Sequence, residues 1–298
     1  MYNDFEVFKK TKGILELADE YDKIFLDIWG VIVISQNYPI EKIISNVNHL
    51  LKKDKIYFIS NSVDTSFEVC KMLNNKGVQV TEDKIVTSGD ITCKILSDTR
   101  FLTNKIKIDK KNINVFCYGE SKDFNSAKNI TLVQDSRKAD VVFINQYNKK
   151  NTTLGKNISE ELKNLVKFDL HAICSNPDKY FFYDKNLVFC PGYFAKQYEQ
   201  IGGNVTYIGK PYEEIFHFAF RSAGVDCEKQ KLIMIGDTLH TDIAGGKNAN
   251  ISTGLVMTGN SSINFFDPNI IEEDKLERLY LSCQLKNTFP DHIVSLSK

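Results

Sequence analysis

Short apolar runs alternate along this chain with stretches whose apolar residues recur at helical spacing. β-branched and aromatic residues concentrate at Lys23–Asp27, Lys55–Ser60, Asn114–Tyr118, Val141–Asn145, His171–Ser175, Thr206–Gly209, Lys231–Gly236 and Ile251–Met257, and each run reads as a strand. Helical periodicity predicts helices over Ile40–Lys53, Ser66–Lys76, Ile91–Ser97, Ser159–Lys167, Tyr193–Ile201, Tyr212–Ala223 and Thr241–Asn248. Strands separated by helices imply parallel βαβ units and a doubly wound α/β sheet. Ligands of such sheets bind beyond the carboxyl ends of the strands. Three polar clusters fall there: Asp27, the pair Ser60 and Asn61, and Asp237. Thr99 to Asn112 and Tyr147 to Asn157 are rich in Lys and Asn and read as solvated loops or surface. Tyr180 to Tyr183 is an aromatic run expected in a core or a domain seam.

A length of 298 residues exceeds one typical core and implies two domains of roughly 150 residues each. Apolar residues make up 42%, enough to fill such cores. Lys plus Arg and Asp plus Glu both number 38, and this balance argues against a polyelectrolyte partner such as nucleic acid. Seven cysteines occur without a CxxC pair or metal-ligand spacing, the usage of reduced thiols in a cytoplasmic protein. No apolar h-region opens the chain and no run approaches a membrane span, so no membrane partner is expected.

Four segments carry chemistry in a fixed order: FLDIWGV with Asp27, IYFISNS with Ser60 and Asn61, IGKP with Lys210 ahead of Pro211, and LIMIGDTLHTDI with Asp237 and Asp242. A carboxylate just past a buried strand is desolvated, and it can hold a hard cation or attack an electrophile. Two carboxylates from separate strand ends, with a backbone carbonyl near Trp29, form a hard-oxygen set suited to Mg²⁺. Ser60 can donate to a phosphoryl oxygen, as can N–H groups at the start of a following helix. Lys210 supplies the charge that lets a carboxylate approach a phosphate. Each element has a plainer reading as well: Asp27 as a loop acid, Ser60 and Asn61 as an N-cap, Lys210 as a surface lysine, Asp242 as a helix cap. Cys174 and Cys190 read as small buried hydrophobes. Gly245 and Gly246 read as packing glycines, and no nucleotide-binding glycine fingerprint occurs.

Taken together, the four segments resemble the haloacid dehalogenase-like hydrolases of subclass IIA, which includes sugar-phosphate, nucleotide and pyridoxal-phosphate phosphatases. Other stretches fit the same pattern. VQVTEDKIVTSGDITCKIL looks like the approach to that subclass's cap domain and CSNPDKYF like the way out. CPGYFAKQYEQIGG before YIGKP looks like its substrate-facing helix, and GLVMTG like its closing strand. The resemblance implies a core with a parallel, doubly wound Rossmann-like sheet over residues 1–84 and 178–298, and an inserted α/β cap over 85–177. It implies Asp27 as nucleophile and Mg²⁺ ligand, with the Trp29 carbonyl and Asp237 as further ligands and Asp242 in the outer shell. Ser60 and Asn61 would bind phosphate and Lys210 would neutralise charge. Asn145, Gln146 and Tyr147, together with Gly192, Tyr193 and His240, are the candidate substrate contacts. The subclass often dimerises through its cap, so a homodimer is among the expectations.

One departure stands out. Phosphatases of the family usually carry Asp two residues after the nucleophile, where this chain has Trp29; resemblance is closest to a branch sharing the Asp-x-Trp-Gly-Val pattern. An indole offers one N–H donor and no titration in the working range, so it supplies neither the general acid nor the base. Either the leaving group needs no acid, or another residue serves, with His240 a candidate because an unperturbed imidazole titrates near ~6.5. The expected activity is Mg²⁺-dependent hydrolysis of a small phosphorylated metabolite, such as a sugar phosphate, through an aspartyl-phosphate. The alternative is a phospholigand-binding or regulatory protein with little turnover. A dehalogenase needs no metal and leaves the GDTLHTD segment unexplained.

Overall fold

A computed structural model describes residues 10–34, 40–122, 124, 127, 129–149, 160–183, 186–263, 279–284 and 287–298. Its strands are β1 (Thr11–Gly13), β2 (Lys23–Leu26), β3 (Ile56–Ser60), β4 (Ile85–Thr87), β5 (Ile113–Gly119), β6 (Ile130–Leu132), β7 (Val141–Asn145), β8 (Asn148–Lys149), β9 (His171–Cys174), β10 (Tyr180–Tyr183), β11 (Asn186–Phe189), β12 (Val205–Tyr207), β13 (Leu232–Gly236), β14 (Ser252–Val256) and β15 (His292–Ser295). Its helices are α1 (Ile14–Glu20), α2 (Ile40–Lys52), α3 (Ser66–Asn75), α4 (Ser88–Ser97), α5 (Thr99–Ile106), α6 (Glu160–Lys167), α7 (Pro191–Gln200), α8 (Glu213–Ala223), α9 (Ala244–Asn248) and α10 (Gly259–Ile263). The chain divides into two compact units: residues 1–60, 66–86 and 210–298 form the first, 61–65 and 87–209 the second.

The first unit is built on a sheet ordered β1-β15-β14-β13-β2-β3-β4. The pairs β2–β3, β2–β13, β13–β14, β14–β15 and β15–β1 are all parallel. Every residue of β3 and β13 is buried, with no alternation along the strand. That pattern belongs to strands covered on both faces. Leu17 of α1 and Val47 and Leu50 of α2 pack into one cluster with Ile24, Leu26, Phe58 and Ile235 of the sheet. Each fully buried side chain of this kind contributes roughly 1.5–3 kcal/mol. The sheet grows in opposite directions from β2 and β13, which makes their junction the topological switch point, where open α/β sheets place ligands. Asp27 and Asp237 follow these two strands directly.

In the second unit the sheet is ordered β12-β9-β7-β5-β6, parallel throughout, with a separate antiparallel sheet β10-β11-β8. Its core joins Val142, Ile144, Ala172 and Cys174 of the large sheet to Leu162 and Leu165 of α6 and Phe194 and Tyr198 of α7.

Two expectations, a boundary between units and a loop, differ from what the structure shows. The first boundary between units falls at Val86, two residues beyond 84, but the second falls at Gly209 rather than 177. The reason is β12, which pairs with β9 through Thr206 and Ile173 and so keeps residues 178–209 in the second unit. Thr99–Ile106 is a largely exposed surface helix and not a loop, because the Asp98 carboxylate accepts the Arg100 N–H at 2.9 Å and Leu102 and Ile106 are buried. Tyr180 to Tyr183 forms β10, paired with β11. The stretch from Tyr147 contains β8, and its remainder from 150 to 157 lies outside the described residues.

Candidate active site

Asp27 leaves β2 with its own N–H still donating to Ile235 O at 2.9 Å, so the backbone is fixed at the carboxyl end of the sheet's strands. The chain then folds back at once. Ile28 O accepts from Ile32 and Val33 N–H, each at 2.9 Å, and Gly30 N–H donates to Val33 O at 3.0 Å. Gly30 sits at φ +80, where an L side chain is strained, and a Cβ there would run into the Asp237 carboxylate. Trp29, by contrast, is 42% exposed, so its side chain is no part of the core.

After β13, Asp237 opens a π-helical turn over Leu239–Ile243 that holds both His240 and Asp242. Asp242 does not cap the helix that follows. Its Oδ2 accepts the Thr238 N–H at 3.0 Å, four residues back. Lys210, 1% exposed, places Nζ 2.6 Å from Asp27 Oδ1, 2.6 Å from Asp242 Oδ1 and 3.1 Å from the Ile59 carbonyl. The plain surface-lysine reading is thereby excluded. Pro211 precedes the Tyr212 cap of α8 and does not occupy that helix's first turn.

Asp27, Asp237 and Asp242 each present a carboxylate oxygen within 4.8 Å of the others. Burial, then the neighbouring Asp242 and Asp27 carboxylates, drive the Asp237 carboxyl well above its usual range, outweighing the Asn260 N–H and Thr238 hydroxyl that favour its ionised form. A divalent cation relieves this cost, and a buried all-oxygen donor set suits Mg²⁺. The residues therefore fit the ion.

A set of residues that sequence reasoning did not single out braces this cluster. Asn260 N–H donates to Asp237 Oδ2 at 2.5 Å, the Ser261 hydroxyl donates to the Asp237 carbonyl, and the Thr258 hydroxyl donates to Gly30 O at 2.5 Å. Gly259, at φ +50, lies where a Cβ would meet the same Asp237 oxygen. The signal was present in the TGNS run directly after the closing strand.

Ser60 is fully buried at the end of β3. Neither it nor Asn61 sits at a helix start, because residues 61–65 intervene before α3 begins at Ser66. That interval belongs to the second unit, where Ser62 O accepts from the Ser88 hydroxyl and Gly89 N–H, both at 3.0 Å, and Asn61 Nδ2 donates to Asp178 Oδ2 at 3.2 Å. The remaining candidate contacts also belong to the second unit. Asn145, 3% exposed, donates to Glu120 O at 3.0 Å while its Oδ1 has no hydrogen-bond partner among the described residues. Gln146 donates to the Tyr147 carbonyl at 3.1 Å, and the Tyr147 hydroxyl accepts from Asn176 at 3.2 Å. Burial raises the Tyr147 phenol far above its ordinary pKa. Gly192 lies against the Pro177 backbone, where a Cβ would overlap the carbonyl, so close packing accounts for this glycine. Tyr193 packs its ring 4.3 Å from that of Phe189. Burial raises the thiols of Cys174 and Cys190, as inert buried cysteines require.

Two family models match the chain. A haloacid dehalogenase-like hydrolase model covers residues 24–132 and a HAD-hydrolase-like model covers residues 207–268. Haloacid dehalogenase-like hydrolase domain-containing protein 2 of Bos taurus is 31% identical over 118 residues, 39% of this chain and 42% of that protein. A 4-nitrophenylphosphatase of Schizosaccharomyces pombe is 36% identical over 93 residues, 30% of this chain and 29% of that one. The matched stretches thus span less than half of either relative. Among solved structures, a possible sugar phosphatase of the HAD superfamily from Cytophaga hutchinsonii superposes with TM-score 0.72 at 22% identity, covering 97% of this chain and 98% of that one. A haloacid dehalogenase-like hydrolase from Brucella suis superposes with TM-score 0.70 at 24% identity, covering 89% and 96%. At these identities the structural likeness speaks for the fold.

Proposed function

We propose that this chain, a member of the haloacid dehalogenase-like hydrolases, is a Mg²⁺-dependent phosphatase of small phosphorylated metabolites, working through an aspartyl-phosphate on Asp27. The observation that carries this reading is the approach of Asp27, Asp237 and Asp242 oxygens to within 4.8 Å of one another, with Lys210 Nζ 2.6 Å from two of them. Mg²⁺ held by Asp27 and Asp237, with the Trp29 carbonyl, would draw charge from a phosphoryl oxygen and offset the repulsion between anions. Asp27 Oδ attacks phosphorus in line, the P–O bond to the leaving group breaks, and water then cleaves the acyl phosphate to return the carboxylate. Lys210, 2.6 Å from Asp27 Oδ1, holds that carboxylate oriented for the attack and balances the phosphate's charge. Asp242 keeps Lys210 in place. Ser60 and Asn61 supply phosphate donors. Asn145, Gln146, Tyr147, Tyr193 and His240 are proposed substrate contacts. The protein is proposed to work in the cytoplasm.

Trp29 favours a second reading, in which the protein binds a phospholigand and turns it over slowly, because general acid–base help is worth roughly 10²–10⁴-fold. One experiment separates the two. Hydrolysis of p-nitrophenyl phosphate and a panel of sugar phosphates is measured with and without Mg²⁺ for the wild type, Asp27→Asn and Trp29→Asp. Phosphatase action predicts Mg²⁺-dependent turnover that Asp27→Asn abolishes. A missing acid predicts that Trp29→Asp raises turnover of alkyl phosphates by ~10²–10⁴-fold. Wild-type turnover that survives Asp27→Asn would sink the nucleophile assignment.

A further inference from the structure

The hydrogen bonds around Asp237 run in one direction. The Asn260 side-chain amide donates to Thr238 Oγ1 at 2.9 Å, and the Thr238 hydroxyl donates to Asp237 Oδ1 at 3.1 Å. A threonine hydroxyl has a single proton and two acceptor lone pairs. With an N–H arriving on one lone pair, its proton is committed to Asp237. The hydroxyl rotor is thus set by a side chain 22 residues away in sequence, on the segment after β14. The main chain of the same residue holds the other Asp237 oxygen, its N–H lying 2.5 Å from Oδ2. Thr238 is itself buried, so bulk water does not compete for its lone pairs.

We propose that Asn260 is a positioning residue for Asp237, acting through the Thr238 hydroxyl to fix the carboxylate in the orientation that receives a divalent cation. This rests on the cation-binding part of the function proposed above. A carboxylate with both oxygens pinned loses little freedom when it takes up an ion, whereas one that rotates must be ordered at that moment. Outer partners of metal ligands commonly matter by roughly 10–100-fold in affinity.

The test is a double-mutant cycle read by metal affinity. Mn²⁺ binding to the full chain is titrated by electron paramagnetic resonance for the wild type, Thr238→Val, Asn260→Leu, the double variant and Thr238→Ser, with melting curves for each. We expect Thr238→Val and Asn260→Leu each to weaken binding by roughly 10-fold or more. The double variant should be no weaker than the poorer single, since both changes break one chain of bonds. Thr238→Ser keeps the hydroxyl and should bind as the wild type does. Should Asn260→Leu not fold, Asn260→Ser replaces it with the same expectation. Asn260 variants within two-fold of wild type, additive losses in the double, or Thr238→Ser as weak as Thr238→Val would each overturn the proposal. Turnover of p-nitrophenyl phosphate by the wild type is recorded alongside. An inactive wild type with the cycle intact defeats the phosphatase reading alone, and an active wild type with a flat cycle defeats this one alone.

Discussion

At the scale of single residues, the site is a problem of unbalanced charge solved by close neighbours. The cost falls on Asp237, whose carboxyl is pushed up by burial and by the Asp242 and Asp27 carboxylates. A carboxyl with a raised folded-state pKa binds its proton more tightly folded than unfolded. Its contribution to stability is therefore complete below the unfolded value near ~3.9 and is lost as pH rises through the folded one. Through this group the cation-free protein should lose stability as pH rises from acid toward neutral, against the opposite contribution of paired carboxylates such as Asp54 and Asp291; Asp237→Asn should remove that loss, and Mg²⁺ should do the same in the wild type. Melting curves across pH with and without chelator check this, and an unchanged slope in Asp237→Asn would count against it. Asp27, Lys210 and Asp237 were legible in the sequence because each follows an apolar run near a strand end, and Asp242 because it stands five residues beyond Asp237 in the GDTLHTD segment. Thr238, Thr258 and Asn260 were not, since a hydroxyl or amide after a strand reads equally well as a turn residue. Their importance comes only from partners brought near by the parallel pairing of β13 with β2 and β14.

At the scale of elements, strands that are apolar throughout announced themselves, and edges did not. Runs such as Ile56–Ser60 and Leu232–Gly236 are buried along their whole length and carry the strongest pattern. Thr11–Gly13 and Ile130–Leu132 are three residues long and partly exposed, so nothing in their composition separates them from loop. Helix α5 was hidden by its many polar residues, although its Asp98 cap was readable. The two turns that bring the glycines at 30 and 259 to Asp237 are the elements on which the site's shape depends most. Gly30→Ala should cost roughly 1–2 kcal/mol for the left-handed backbone alone. It should also reduce cation affinity more than its loss of melting temperature suggests, because its Cβ competes with the Asp237 carboxylate for space. Calorimetric melting combined with Mn²⁺ titration tests this, and a variant that binds cation normally would show the turn to be tolerant.

At the scale of the whole molecule, one chain builds two large parallel sheets, each with its own apolar core. The segments forming the first are interrupted by residues 61–65 and 87–209. Each parallel sheet was visible as alternating strands and helices. The exit from the second was not, since β12 is a short strand whose allegiance to β9 is decided by pairing and not by composition. All three clustered carboxylates lie in the first unit, so the proposed cation would stabilise that unit by mass action. Calorimetry should resolve two transitions, of which Mg²⁺ raises one. A single transition moving as a whole would show the units to be energetically inseparable. Among the described residues no helix is long and apolar enough to cross a membrane. The chain also carries a single tryptophan, and it is the exposed Trp29, two residues beyond the proposed nucleophile. Excited beyond the absorption of the 13 tyrosines, its emission originates at one place, so arrival of the proposed ion or phosphorylated compound should be visible optically in the unlabelled protein.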